Sequence, residues 1–215
     1  MPATGFAQQS FNFYVGGFAP KGVDSRSPDD VLVNNLDFLA FRMEDFASGA
    51  FGAEWEFPLN DYFHGSLGFG MTSKSVPSVY NDFIEDDLSE IEQDLKLRIA
   101  PLTATVRFLP MGSNAAVVPY IGAGIGIFSW RYSESGEFID FGAGGEIFRD
   151  TFRDSGATAG PVILGGLSFP AGNWLIGGEV RYQSAQGELD LDQSFAGSKI
   201  DLGGFTYSAM FKVRF

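Results

Sequence analysis

The chain has no cysteine and a single histidine in its 215 residues. The first absence excludes disulfide staples and thiolate chemistry, and it leaves the redox compartment undetermined. The second excludes a metal site built from several imidazoles or thiolates. Basic residues are scarce as well: 14 Lys and Arg stand against 27 Asp and Glu, a formal charge of −13. That balance argues against nucleic acid as a partner, because its phosphates require a basic surface. No apolar run approaches the roughly 18 residues of a membrane helix. No basic n-region followed by an apolar stretch precedes the first alternating segment, which counts against export unless the sequence is a mature form; Met1 is taken as an added initiator. No linker or composition break divides the chain, and a single domain over 1–215 is expected.

What the chain does have is glycine and phenylalanine, 28 and 23 residues. So many aromatics without long apolar runs must occupy a surface that tolerates them. The patterning shows how. Eight segments alternate with a period of two, at about 8–18, 46–57, 62–71, 94–108, 117–132, 157–169, 174–184 and 200–215. In the second, Phe51, Ala53, Trp55 and Phe57 share one face while Gly52, Glu54 and Glu56 share the other. In the third, Phe63, Leu67, Phe69 and Met71 oppose His64, Ser66, Gly68 and Gly70. In the fourth, Leu95, Leu97 and Ile99 set one parity and Leu102, Ala104, Val106 and Phe108 the other, which predicts a phase slip or bulge near Ala100-Pro101. The fifth alternates glycine with small or β-branched residues from Pro119 to Ile127, leaving room inside a narrow barrel. Its GxGxG run is not followed by a helical pattern or a Lys-Ser/Thr pair, so a phosphate loop is disfavoured.

Connections alternate between short (58–61, 109–116, 170–173) and long (19–45, 72–93, 133–156, 185–199). This layout predicts an all-β, eight-stranded, antiparallel up-and-down transmembrane β-barrel with both termini on the short-turn side. The long connections, with a residue either way at their ends, hold 22 of the 27 acids. Most bases outside them fall on polar strand faces. A lumen network of Glu54, Glu56, Arg98, Arg107, Glu179, Arg181, Lys212 and Arg214 is therefore expected. Trp55, Phe57, Phe63, Phe108 and Phe215 near the short turns, with Trp130 and Tyr132 toward the long-loop end, are expected as interfacial aromatic girdles.

The last strand alternates through Phe205, Tyr207, Ala209, Phe211 and Val213 to a terminal Phe215. Together with the Pro119 to Gly126 stretch, this ending resembles the small eight-stranded bacterial outer-membrane barrels of the outer-membrane protein A, X and W types. The resemblance covers the whole chain and implies an outer-membrane location with periplasmic termini. It also implies contact with outer-membrane lipid and lipopolysaccharide, and an insertion signal at Tyr207, Phe211, Val213 and Phe215 for the outer-membrane insertion machinery.

Candidate chemistry is thin. His64 and Ser66 share a strand face with Glu54 and Glu56 next door, and they echo the His-x-Ser pair of lipid A deacylase barrels. Their place beside a short turn and elsewhere in the chain departs from that family, and a polar lumen network is the preferred reading. Among the acids, Glu85, Asp86, Asp87 and Glu90 are candidate ligands for a divalent cation, without the spacing of a calcium loop. Leu88, Ile91 and Leu95 are spaced for a short amphipathic helix. No cofactor is expected. The sequence therefore predicts a non-enzymatic envelope protein with a structural and surface-interaction role. A small-molecule channel, a lipid-modifying enzyme and a soluble lipocalin-like carrier are the alternatives.

Overall fold

The structure is a computed structural model that describes residues 9–84, 88–140, 142, 144–190, 192 and 195–215. The wall is made of β1 (Ser10–Pro20), β2 (Ser48–Pro58), β3 (Phe63–Ile84), β4 (Glu90–Phe108), β5 (Val118–Asp140), β6 (Glu146–Ala171), β7 (Trp174–Gln183) and, after a small hairpin of β8 (Gln186–Glu188) and β9 (Lys199–Asp201), β10 (Gly204–Arg214). Each strand pairs antiparallel with its neighbours, and β1 joins both β2 and β10, so the ring closes. The fold is the eight-stranded up-and-down barrel that the alternation predicts. Closure leaves no strand edge unpaired in lipid, where a bare N–H or C=O costs several kcal/mol.

The wall is uneven. β3 to β6 have 19 to 26 residues each, whereas β1, β2, β7 and β10 have 10 or 11. The extra length comes from segments expected as loops: 72–84 and 90–93 are strand, and so are most of 133–156. Ile91 and Leu95 lie in β4, so the predicted helix there is absent; Leu88, on the connection, has a positive φ of 70°.

The β4–β5 and β5–β6 ladders keep one register throughout, and β3 shifts against β4 only beyond Val79. Pairing of β4 with β5 runs without interruption from Gln93 to Phe108, straight through Ala100 and Pro101, so the expected bulge does not exist. The surroundings change there instead. On the short-turn side of Ala100, inward residues of β4 are Thr103, Thr105 and Arg107 and outward ones are Leu102, Val106 and Phe108; beyond it the buried residues are Leu95, Leu97 and Ile99 and the exposed ones Lys96 and Arg98. The same inversion occurs in β5. Inward Gly122, Gly124 and Gly126 give way to buried Phe128, Trp130 and Tyr132, while outward Ile125 and Ile127 give way to Ser129 and Arg131. The wall leaves the lipid at this level, so water faces its outer side and a protein-like core fills the inside.

Trp130 and Tyr132, expected as interfacial aromatics, therefore lie inside the barrel at 4% and 0% exposure. They share the parity of the inward glycines of their own strand. At the long-loop end the outward aromatics are Tyr182, Phe205 and Tyr207, whose rings are in contact in sequence across β7 and β10. Trp55, Phe63, Phe108 and Phe215 are exposed near the short turns, as expected.

The first long connection fills the upper mouth. Its short helix α1 (Val31–Asn35) starts at Asp30, whose carboxylate accepts from the Leu32 and Val33 N–H groups and, through both oxygens, from Nη1 of the buried Arg26. Burial pushes the Asp30 carboxyl above the usual carboxylate range, with Arg26 pulling the other way. Val31, Leu32 and Leu39 join Leu95, Ile99, Phe128 and Tyr132 in one apolar cluster that also takes Ile200 and Leu202 from the β8–β9 region. Each such side chain contributes roughly 1.5–3 kcal/mol on burial.

Two outcomes follow from this architecture. The urea-denatured chain is expected to refold in detergent micelles, and not in plain buffer, into a form whose gel mobility shifts on boiling; a soluble, monodisperse protein without detergent would mean that the faces are inverted. Gly124 lies where a Cβ would meet the Ala104 carbonyl oxygen at 2.0 Å. Gly124→Val should therefore lower stability by about 1–3 kcal/mol in a urea titration, while Gly22→Ala, whose Cβ meets nothing, should match the parent.

Candidate functional site

Below the inversion level, the lumen is occupied by charge. Glu54 and Glu56 project inward from β2, Arg107 from β4, Glu179 and Arg181 from β7 and Lys212 from β10, all by the parity of their strands. Arg107, at 1% exposure, is the hub. Its guanidinium donates to Glu54 at 2.5 Å, to Glu179 at 3.0 Å and to Glu56. Arg181 donates to Glu179 at 2.7 Å and to Glu54, and Lys212 Nζ donates to Glu56 at 2.7 Å. Three carboxylates thus face three cations from four strands, so the buried charge closes to zero.

Neutral groups complete the set. Asn12 Nδ2 donates to Glu54 at 3.0 Å and the Tyr120 hydroxyl donates to Glu179 at 3.0 Å. Arg107 and Lys212 each lie 5.1 Å from the Tyr120 ring centre, and Arg181 lies 5.5 Å from that of Tyr14. Asn12, Tyr14 and Tyr120 were absent from the expected network; their strand parity marked them as inward, but their neutral side chains gave no charge signal.

Two expected members stand apart. Arg98 is not in the lumen: its parity is opposite to that of Arg107, and it is exposed on the outer wall above the inversion. Arg214 faces inward at the short-turn rim, where it donates to the Ser113 carbonyl at 3.0 Å and not to a carboxylate. There it borders a cavity of about 330 Å³ with His64, Lys212, Ser10 and Ser168, closed above by Arg107 and Tyr120.

His64 Nδ1 lies 2.8 Å from Glu56, while Glu54 is held by the two arginines and Asn12. The Ser66 hydroxyl pairs with Thr105 at 2.6 Å, and no hydrogen bond joins it to His64. The geometry therefore lacks the nucleophile–base contact that hydroxyl activation requires. Of the candidate cation ligands, Glu85, Asp86 and Asp87 lie outside the described residues and Glu90 is exposed at the start of β4. Among the described residues, no group of three or more His, Asp or Glu is arranged to hold a metal ion. Tyr207, Phe211, Val213 and Phe215 all point outward on or just after β10; Phe211 packs on Trp174 at 4.7 Å and Phe215 on Phe11 at 5.4 Å.

A closed eight-stranded ring with an apolar outer band, aromatic residues at both of its borders and a salt-bridged lumen defines a small outer-membrane-type β-barrel. Comparison with solved structures gives that fold directly. The outer membrane protein OprG from Pseudomonas aeruginosa aligns over 98% of this chain and 98% of its own, at 14% identity and a TM-score of 0.53. Ail, the attachment invasion locus protein of Yersinia pestis, aligns over 97% of this chain and 99% of its own, at 16% identity and a TM-score of 0.50. By sequence, no protein-family model and no curated protein matches.

Removing one member of the lumen cluster leaves buried charge without a partner. Glu54→Gln is expected to cost about 3–5 kcal/mol of unfolding free energy in lipid vesicles, and a midpoint equal to the parent would show the cluster to be energetically silent. His64→Ala and Ser66→Ala should leave the mass of co-expressed lipid A unchanged relative to the parent; a parental mass change that either variant abolishes would reinstate the deacylase reading.

Proposed function

We propose that the chain is a non-enzymatic, sealed barrel of the bacterial outer membrane with a structural and surface-interaction role in the envelope. One observation carries this reading: the lumen is interrupted twice. The Arg107-centred cluster spans it in the lipid-embedded half, and the apolar plug of Leu95, Ile99, Phe128, Trp130 and the α1 residues fills it above. An eight-stranded ring is only wide enough for side chains to fill, and at these two levels they do.

In this reading the short turns and both termini face the periplasm and the long connections with their acids face outward. The exposed aromatics flanking the short turns and the outward row ending in Phe215 support that orientation. Tyr207, Phe211, Val213 and Phe215 are then the stretch offered to the insertion machinery. Outer-membrane lipid and lipopolysaccharide are the surrounding partners, with divalent cations bridging loop acids to phosphate as a further contribution.

Planar bilayers containing the refolded protein should show no discrete conductance steps. Steps that change in amplitude when Arg107 or Arg181 is replaced would overturn the sealed barrel in favour of a channel through the lumen.

A further inference from the structure

The outer wall carries a second cluster of charge that the lumen does not use. Above the apolar band, the outward positions of β3 to β6 form two consecutive rows: Ser73, Arg98, Arg131 and Ser155 stand directly opposite one another, and so do Ser75, Lys96, Ser133 and Arg153. Lys96, Arg98, Arg131 and Arg153 are all exposed. None of the four forms an ion pair or side-chain hydrogen bond among the described residues, although the chain has a net charge of −13 and Arg107, Arg181 and Lys212 in the lumen are each paired with a carboxylate. Arg98 and Arg131 face each other across adjacent strands, an arrangement of like charges that is unfavourable unless an anion lies between them.

We infer that these four cations, on the outward wall immediately above the lipid-facing rows, hold the phosphate groups of a phosphorylated glycolipid lodged against β4, β5 and β6. Three are arginines, whose planar guanidinium presents two parallel donors to a phosphate, and Ser73 and Ser133 add hydroxyls within the same depression. An amphiphile is indicated because the site continues downward into apolar wall. The next outward row is Ala100, Ser129 and Ala157, and below it come Leu102, Ile127 and Ala159. Small residues under the bases leave a shallow face for acyl chains. On the opposite side of the barrel the outward residues at the long-loop ends of β7 and β10 are Tyr182 and Phe205, so the basic cluster is confined to β4, β5 and β6. The inference rests on the outer-membrane reading and names the lipid that meets it.

The test uses the full chain in phosphatidylcholine nanodiscs doped with diphosphoryl lipid A or with its dephosphorylated form, and native mass spectrometry of the lipid retained after gentle detergent extraction. The parent should retain the diphosphoryl form roughly tenfold or more over the dephosphorylated one, as loss of charge-assisted hydrogen bonds predicts. The R98Q/R131Q variant should lose that preference by a similar factor. R42Q/R149Q, which removes the same charge from other exposed positions, should keep it. Equal retention of the two lipids by the parent would overturn the site, and so would an undiminished preference in R98Q/R131Q. Displacement of the glycolipid by inorganic phosphate at matched phosphate concentration would overturn its assignment to a lipid. Should R98Q/R131Q fail to refold, the parent's discrimination between the two lipids and its decline with added salt decide the question. Failure of the parent to enter nanodiscs at all would refute the membrane reading, a result distinct from insertion without phosphate preference.

Discussion

A β-strand offers its side chains alternately to two sides, and it cannot change that order without a bulge. In this barrel β4, β5 and β6 run without a slip, and β3 does so as far as Val79, through two different surroundings, and everything else adapts to that constraint. Where lipid lies outside, the outward positions are Leu102, Val106, Ile125 and Ile127 and the inward ones are mostly charged, hydroxyl-bearing or glycine; where water lies outside, Lys96, Arg98 and Arg131 point out and Leu95, Leu97, Phe128 and Tyr132 point in. The chemistry of the two faces exchanges while the hydrogen-bond ladder stays in register. The border of the membrane is thus written into β4 and β5 as a change of polarity, not as a change of backbone.

The two halves are stabilised by different physics. In the lower half, six ionised side chains are removed from water, and their mutual attraction offsets that desolvation only because the set is balanced and each carboxylate has several donors. A purely apolar interior of the same volume would cost less to desolvate. The charged one ties four strands together through directional contacts, so a strand shifted by one residue would send its charges into lipid. In the upper half the interior resembles that of a soluble domain, with α1 and the residues around β9 supplying the second layer that packs against the wall. Asp30 links the two modes, since it caps α1 and accepts from Arg26 and from the Asp201 N–H.

Much of this was legible in the residues. Strand number, ring order, the short turns and most of the lumen cluster follow from alternation, because in the lipid-embedded half apolar means outward. The same rule failed above the border. It turned Arg98 inward and Trp130 and Tyr132 outward, and it read strand as loop in 72–84 and 133–140, where acidic and hydroxyl residues mask the alternation. The corrective signal was available in β5: parity carried upward from Gly122, Gly124 and Gly126 leads without interruption to Phe128, Trp130 and Tyr132. What no sequence pattern supplies is the identity of partners across the lumen. Glu56, and not Glu54, meets His64 because β2 and β3 meet with Pro58 opposite His64, a register set by the turn between them.

The difference in strand length has a further meaning. With β3 to β6 extending well past the level at which β7, β10, β1 and β2 stop, the molecule lacks the rotational symmetry of a simple cylinder. It has a tall flank that is basic at the lipid border and a low flank ringed by Tyr182, Phe205 and Tyr207. Two neighbours in the plane of a bilayer would meet different surfaces depending on the side from which they approach. Such a body has a heading within the membrane, because the surface it offers there depends on compass direction.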